Sequence, residues 1–297
     1  MLELLPQCPV EPALHDILVH TRNATASLGI RMFVGGATAR DLLLVHVHGQ
    51  QAMRATRDVD IGLYVERWEQ FEALKALLVE AGRFFEAQGQ PHRLHYRQPG
   101  GIPLDLIPFG PIAGTGRTIA WPPGHDVVLD VAGFEEGLAS AHRMDLGHAL
   151  KILVCSLPSL SVLKLMAWRD RGRSNNKDAT DFLALTRSYA AAGNMDRLYA
   201  GDGIALLHAA NYDPDLAGAA LLGQDAAVHC LPATRQQIAD LLADAAWRQR
   251  LIDQVARAES RVGDDGGMRQ TDAFISGYHE GFLSAMARAP AHAPGSG

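Results

Sequence analysis

The run Asp58-Val-Asp60-Ile-Gly-Leu-Tyr64 constrains this chain more than any other segment. Its residues alternate in polarity, and in a strand alternate side chains share a face. Val59, Ile61 and Leu63 therefore belong to a core, while Asp58 and Asp60 project together from the other face. Two carboxylates held so close repel each other unless a cation lies between them. A divalent ion with oxygen ligands, Mg²⁺ or Mn²⁺, is the usual occupant. Upstream, Arg31-Met-Phe-Val34 reads as a buried strand ended by Gly35-Gly36. A glycine pair at a strand-to-helix turn lets backbone N–H groups approach phosphate oxygens, and the helix N-terminus favours their charge. Downstream, Ile102-Pro-Leu-Asp105-Leu-Ile-Pro-Phe109 places a third carboxylate, Asp105, in another alternating strand. In this order the three features suggest metal-assisted nucleotidyl transfer, in which a metal bridges a triphosphate and donors hold its phosphates.

The remaining pattern predicts helices over 12–28, 37–47 and 68–87, a hairpin from 93–97 to 102–109 across Gln-Pro-Gly-Gly, and strands near 127–131 and 149–154. From Ser156 onward the periodicity is almost entirely helical, with Ser156 and Pro158 marking a helix start. The expected fold is α+β. A mixed sheet flanked by helices occupies residues 1–155, a helical domain 156–288, and a disordered Pro/Ala/Gly-rich tail 289–297. At 297 residues and 47% hydrophobic, the chain is long enough for two cores. No apolar run is long enough for a membrane span, and the first residues lack the basic-then-apolar order of a signal peptide. Cys8, Cys155 and Cys230 have no metal-binding spacing, so reduced thiols and a cytoplasmic setting are expected.

Net charge is −6, and residues 1–150 carry 12 basic against 17 acidic side chains. A nucleic-acid partner must therefore meet a local patch. Lys164, Arg169, Arg171, Arg173 and Lys177 form one in sequence, broken only by Asp170. Lys164 sits between Leu163 and Leu165 and reads either as a snorkelling lysine at a core edge or as a compact charge at a site. The chain has only four lysines among 27 basic residues, which favours the second reading mildly. Asp178 and Asp181 share a helix face near its start, where acids serve the helix dipole as readily as chemistry. Arg40 and Arg54 could clamp phosphates or pair with acids such as Asp41.

The set Gly35-Gly36, Arg54-x-Thr56-x-Asp58-x-Asp60, Leu163-Lys164-Leu165-x-Ala167 and Lys177-Asp178-x-x-Asp181 resembles the AbiEii-family nucleotidyltransferase-like toxins of bacterial abortive-infection toxin–antitoxin systems. These lie within the polymerase-beta-like nucleotidyltransferase superfamily. The resemblance implies an NTP substrate, metal on Asp58 and Asp60, and nucleotide or catalytic roles for Lys164 and for Asp178 or Asp181; Asp105, read from its own strand, is expected to complete the metal site. Gly35, Gly36, Arg40, Arg54, Thr56 and Lys177 are the candidate nucleotide-binding residues. It also implies a tRNA 3′ end or other RNA as acceptor, growth inhibition as the result, and a cognate antitoxin as partner. The sequence departs in having Gly36 where many nucleotidyltransferases carry serine. Gly35-Gly36-Ala-Thr-Ala-Arg40-Asp41-Leu-Leu also resembles the opening of tRNA CCA-adding and poly(A) polymerases, with one extra residue before Arg40 and no later arginine motif for base selection. A small-molecule acceptor, or a nucleotide-binding module without turnover, are the competing functions.

Overall fold

A computed structural model describes residues 1–51, 58–98, 101–172, 175–259 and 265–288. The chain opens with β1 (Leu2–Glu3), α1 (Pro12–Ser27), β2 (Arg31–Val34) and α2 (Gly36–Asp41), which runs into a π-helical turn at Leu42–Val47. Next come β3 (Val59–Tyr64), α3 (Trp68–Glu80), β4 (Phe84–Glu86), β5 (Arg93–Tyr96) and β6 (Pro103–Phe109). Then follow β7 (Thr118–Ala120), β8 (Val128–Asp130), α4 (Phe134–Ala139), β9 (His142–Asp145), β10 (Lys151–Val154) and α5 (Leu157–Arg171). Eight strands form one mixed sheet in the order β1-β9-β10-β2-β3-β6-β5-β4, and β7 and β8 pair separately.

Alternation dictates this sheet. Val59, Ile61 and Leu63 of β3 are buried, as are Leu104 and Leu106 of β6. β3 lies antiparallel to β2 and parallel to β6, so the two central acidic strands run in the same direction. Phe33, Phe109 and Phe134 meet with ring centroids 5.7–6.0 Å apart and join α4 to the sheet.

Several elements depart from the expectations, the short strands β1 and β7 among them. The helix expected to reach residue 87 ends at Glu80, because Gly82 takes φ of 72° and its N–H bonds back to the carbonyl of Val79 at 2.9 Å. Phe84 then enters β4 and packs on Tyr96. β9 was not anticipated at all; its sequence His-Arg-Met-Asp buries only Met144 fully.

The chain divides into two compact units, Met1–Met166 and Ala167–Gly297. The division falls inside α5, eleven residues beyond the boundary read from sequence at 155. The first half of α5 is tied to the sheet unit: Ser156 and Ser159 share hydrogen bonds with Ser140 at the end of α4, and Leu163 packs at Gly133. The second unit continues with α6 (Lys177–Ser188), α7 (Met195–Leu198), α8 (Gly203–Ala209), α9 (Pro214–His229), α10 (Pro232–Ala243), α11 (Ala245–Glu259) and α12 (Asp265–Arg288). Here α9 and α12 run backbone to backbone. A Cβ on Gly281 would stand 1.9 Å from the carbonyl oxygen of Ala220, and one on Gly223 2.1 Å from that of Tyr278. Among the described residues no helix is long and apolar enough to cross a membrane. The tail 289–297 lies outside the described residues.

Candidate active site

The acidic face of the sheet is built by strand register. Asp60 of β3 pairs with Asp105 of β6, and Asp105 pairs in turn with Arg93 of β5. Residues in register point to the same face, so Asp60, Asp105 and Arg93 form one row across three strands. Asp58 precedes β3 by one residue and, like Asp60, is partly exposed, whereas Val59 between them is buried.

Arg93 grips Asp105 with both ends of its guanidinium, Nε to Oδ1 at 2.6 Å and Nη2 to Oδ2 at 2.7 Å. That two-pronged geometry is the strongest form of arginine–carboxylate contact. The hydrogen bond to Asp105 raises the pKa of Arg93 above the usual guanidinium value, and the charges of Asp105, Asp58 and Asp60 add to it. One arginine thus answers to all three acids. Beside it, burial lowers the pKa of His92, with the charge of Asp105 opposing and those of Arg93 and Lys75 reinforcing. Its ring lies 5.6 Å from that of Trp121.

Gly35 and Gly36 are fitted to this face. The N–H of Gly35 bonds to the carbonyl of Asp60 at 2.8 Å. Gly36 has φ of 58°, and a Cβ there would stand 1.7 Å from Oδ2 of Asp60. Both facts require glycine: L side chains rarely adopt that backbone, and the Asp60 carboxylate already fills the space. The missing serine is therefore a consequence of where Asp60 lies. Thr38, buried on α2, donates its hydroxyl to the carbonyl of Asp58 at 3.0 Å and fixes the entry to β3.

The other sequence-nominated residues stand as follows. Arg40 is 2% exposed and bonds Asp41 through Nε at 2.8 Å and Nη2 at 2.7 Å, which matches the pairing reading. Lys164 is 7% exposed on α5 and is engaged within the fold. Asp178 and Asp181 are both buried on α6, and Asp178 is held by Arg171 at 2.7 and 3.1 Å. Lys177 is exposed. Arg54, Thr56 and Arg173 lie outside the described residues. Of the basic stretch, Arg169 bonds Asp170 at 2.6 Å, so two of its arginines are spent on neighbouring acids.

As it stands, Asp105 does not join Asp58 and Asp60 in a metal-binding group. Among the described residues no three His, Cys, Asp or Glu side chains are gathered closely enough to hold a metal ion. The Asp58–Asp60 pair alone still suits Mg²⁺, which is commonly bound by one or two carboxylates with phosphate oxygens completing its shell. Sequence reasoning missed Arg93, Thr38 and His92. Arg93 comes opposite Asp105 only through the register of β5 on β6.

A mixed sheet carrying an acidic row, with a glycine turn closed on one of its carboxylates, followed by a helical unit, defines a nucleotidyltransferase as the class of protein. The chain belongs to the AbiEii family: the model for the nucleotidyl transferase AbiEii toxin of type IV toxin–antitoxin systems matches residues 16–261. None of the curated proteins compared with the chain matches it. Among solved structures, the chain is similar to the antibiotic-resistance factor ANT(2″)-Ia at 16% identity, over 68% of this chain and 100% of that one, with a TM-score of 0.37. A CCA-adding enzyme in complex with ATP is 15% identical over 88% of this chain and 66% of that one, TM-score 0.25. The Thermotoga maritima CCA-adding enzyme complexed with tRNA is 13% identical over 94% and 83%, TM-score 0.26.

Proposed function

We propose that this nucleotidyltransferase is a toxin that moves an NMP unit from an NTP to the 3′ hydroxyl of a tRNA in the cytoplasm, under the control of a cognate antitoxin. The observation that carries the reading is Gly36 packed against the Asp60 carboxylate, in a row with Asp105 and Arg93. It ties the glycine turn and the acidic strand into one device, and membership of the AbiEii family supports the substrate class.

In the reaction the acceptor oxygen bonds to the α-phosphorus, the α–β bridging bond breaks, pyrophosphate leaves, and the hydroxyl proton goes to water. Asp58 and Asp60 would hold Mg²⁺ or Mn²⁺, which when bound offsets phosphate charge and orients the triphosphate. Gly36 keeps the Asp60 carboxylate against the backbone by having no side chain of its own. Thr38 fixes the Asp58 carbonyl and so the direction in which Asp58 projects. Arg93 orients Asp105 and offsets part of the repulsion among the three acids. Lys164, and one of Asp178 and Asp181, serve the nucleotide in this reading, as the family motif implies.

The test is incubation of the full chain with each α-labelled NTP, Mg²⁺ and total RNA. The reading expects label at the 3′ ends of tRNA-sized RNA with one preferred base. Label that enters only small molecules, or none at all, contradicts the RNA acceptor.

A further inference from the structure

A cavity of about 370 Å³ lies in the sheet unit, remote in the fold from the acidic row. It is lined at the beginning of β2, by Ile30 and Met32, whereas Gly35 follows the end of that strand. Three cationic side chains line it from three elements: Arg22 of α1, Arg143 of β9 and Lys151 of β10. The buried Ile30, Met32 and Ile152 make much of the remainder apolar.

The cations are not satisfied by the protein. Arg22 gives Nη2 to the carbonyl of Ala149 at 3.3 Å, while its Nε is buried and has no partner. Among the described residues, neither Arg143 nor Lys151 has a hydrogen bond or ion pair for its side chain. The acid nearest in register to Lys151 is Asp145, and its Oδ1 accepts instead from the N–H of Gly147 at 2.9 Å. The buried Nε of Arg22 without an acceptor costs stability, and three like charges around one cavity repel. Within a stretch that is acidic overall, such a cluster is readily explained by an anion that completes it.

We propose that this cavity is a second ligand site, separate from the acidic row, for a compact phosphorylated molecule of mononucleotide size. The arginines and Lys151 supply donors and charge for a phosphate, and the apolar wall receives the organic body. The volume sits at the small end of the range for small-molecule pockets, about 300–1,000 Å³. That size suits one nucleotide better than a nucleic-acid duplex.

The test is calorimetric titration of the full chain with AMP and with inorganic pyrophosphate, in EDTA so that no divalent metal is present. The proposal expects AMP to bind one to one, and to bind equally well to an Asp58→Asn/Asp60→Asn variant. It expects Arg143→Glu/Lys151→Glu to weaken AMP by at least about tenfold, with pyrophosphate affected likewise and both falling as salt is raised. Both substituted positions are exposed, so the unliganded melting temperature should be no lower than that of the wild type; Arg143→Gln/Lys151→Gln serves if it falls. Three outcomes overturn the proposal: no binding of either probe, binding indifferent to the two substitutions, or binding lost in the Asp58→Asn/Asp60→Asn variant. Binding of a short single-stranded RNA through Arg143 and Lys151, without AMP or pyrophosphate, likewise overturns it and assigns the cluster to RNA.

Discussion

Gly36 connects backbone conformation to chemistry at a single position. Any side chain there must adopt a left-handed backbone and displace the Asp60 carboxylate. Gly36→Ser should therefore destabilise the protein by about 1–2 kcal/mol from the backbone alone. It should also lower transfer, because Asp60 must move. Urea denaturation and an activity assay on the same preparation check both effects. Arg93 makes a different claim. Its partner Asp105 is nearly buried, with a side-chain exposure of 10%. Arg93→Met should cost more than the roughly 1 kcal/mol of an exposed pair and less than the roughly 3–5 kcal/mol of a fully buried one. Equal stability of Arg93→Met and wild type in denaturant would show that the pair has no structural role. Asp58, Asp60 and Asp105 were legible from alternation alone. Arg93 was not, because a cross-strand neighbour becomes visible only once the register of the β5–β6 hairpin is fixed.

At the scale of elements, α9 and α12 approach backbone to backbone at Gly223 and Gly281. Gly281→Val would drive a side chain into the Ala220 carbonyl, and at typical overpacking costs should destabilise by about 1–3 kcal/mol or more. The measurement is a thermal melt, and an unchanged melting temperature contradicts the close packing. Periodicity gave the existence and type of the long helices well, since one apolar face per helix survives in any sequence that buries it. It failed where tertiary structure overrides a local pattern. The helix from Trp68 stops at Glu80, short of the expected residue 87, because Gly82 turns the chain into β4. β9 escaped because a four-residue strand with one fully buried side chain carries almost no alternation.

At the scale of the whole molecule, three partly exposed histidines, His48, His92 and His279, share one property. Burial is the first cause lowering the pKa of each; His142 adds to it at His48, and Arg248 adds to it at His279. A group whose folded pKa lies below its unfolded value binds fewer protons when folded, so its contribution to stability is lost as pH falls. Unfolding free energy should therefore decline as pH drops through and below about 6.5, the unfolded histidine range. His279→Gln should reduce that slope, as measured by urea midpoints at several pH values. The acidic row is tested by label transfer from an α-labelled NTP by wild type and by Asp60→Asn. The substitution keeps the shape of the side chain beside Gly36 while removing its charge. Asp60→Asn should retain the wild-type melting curve and transfer no label above background. Transfer at the wild-type rate by a folded Asp60→Asn protein would contradict it.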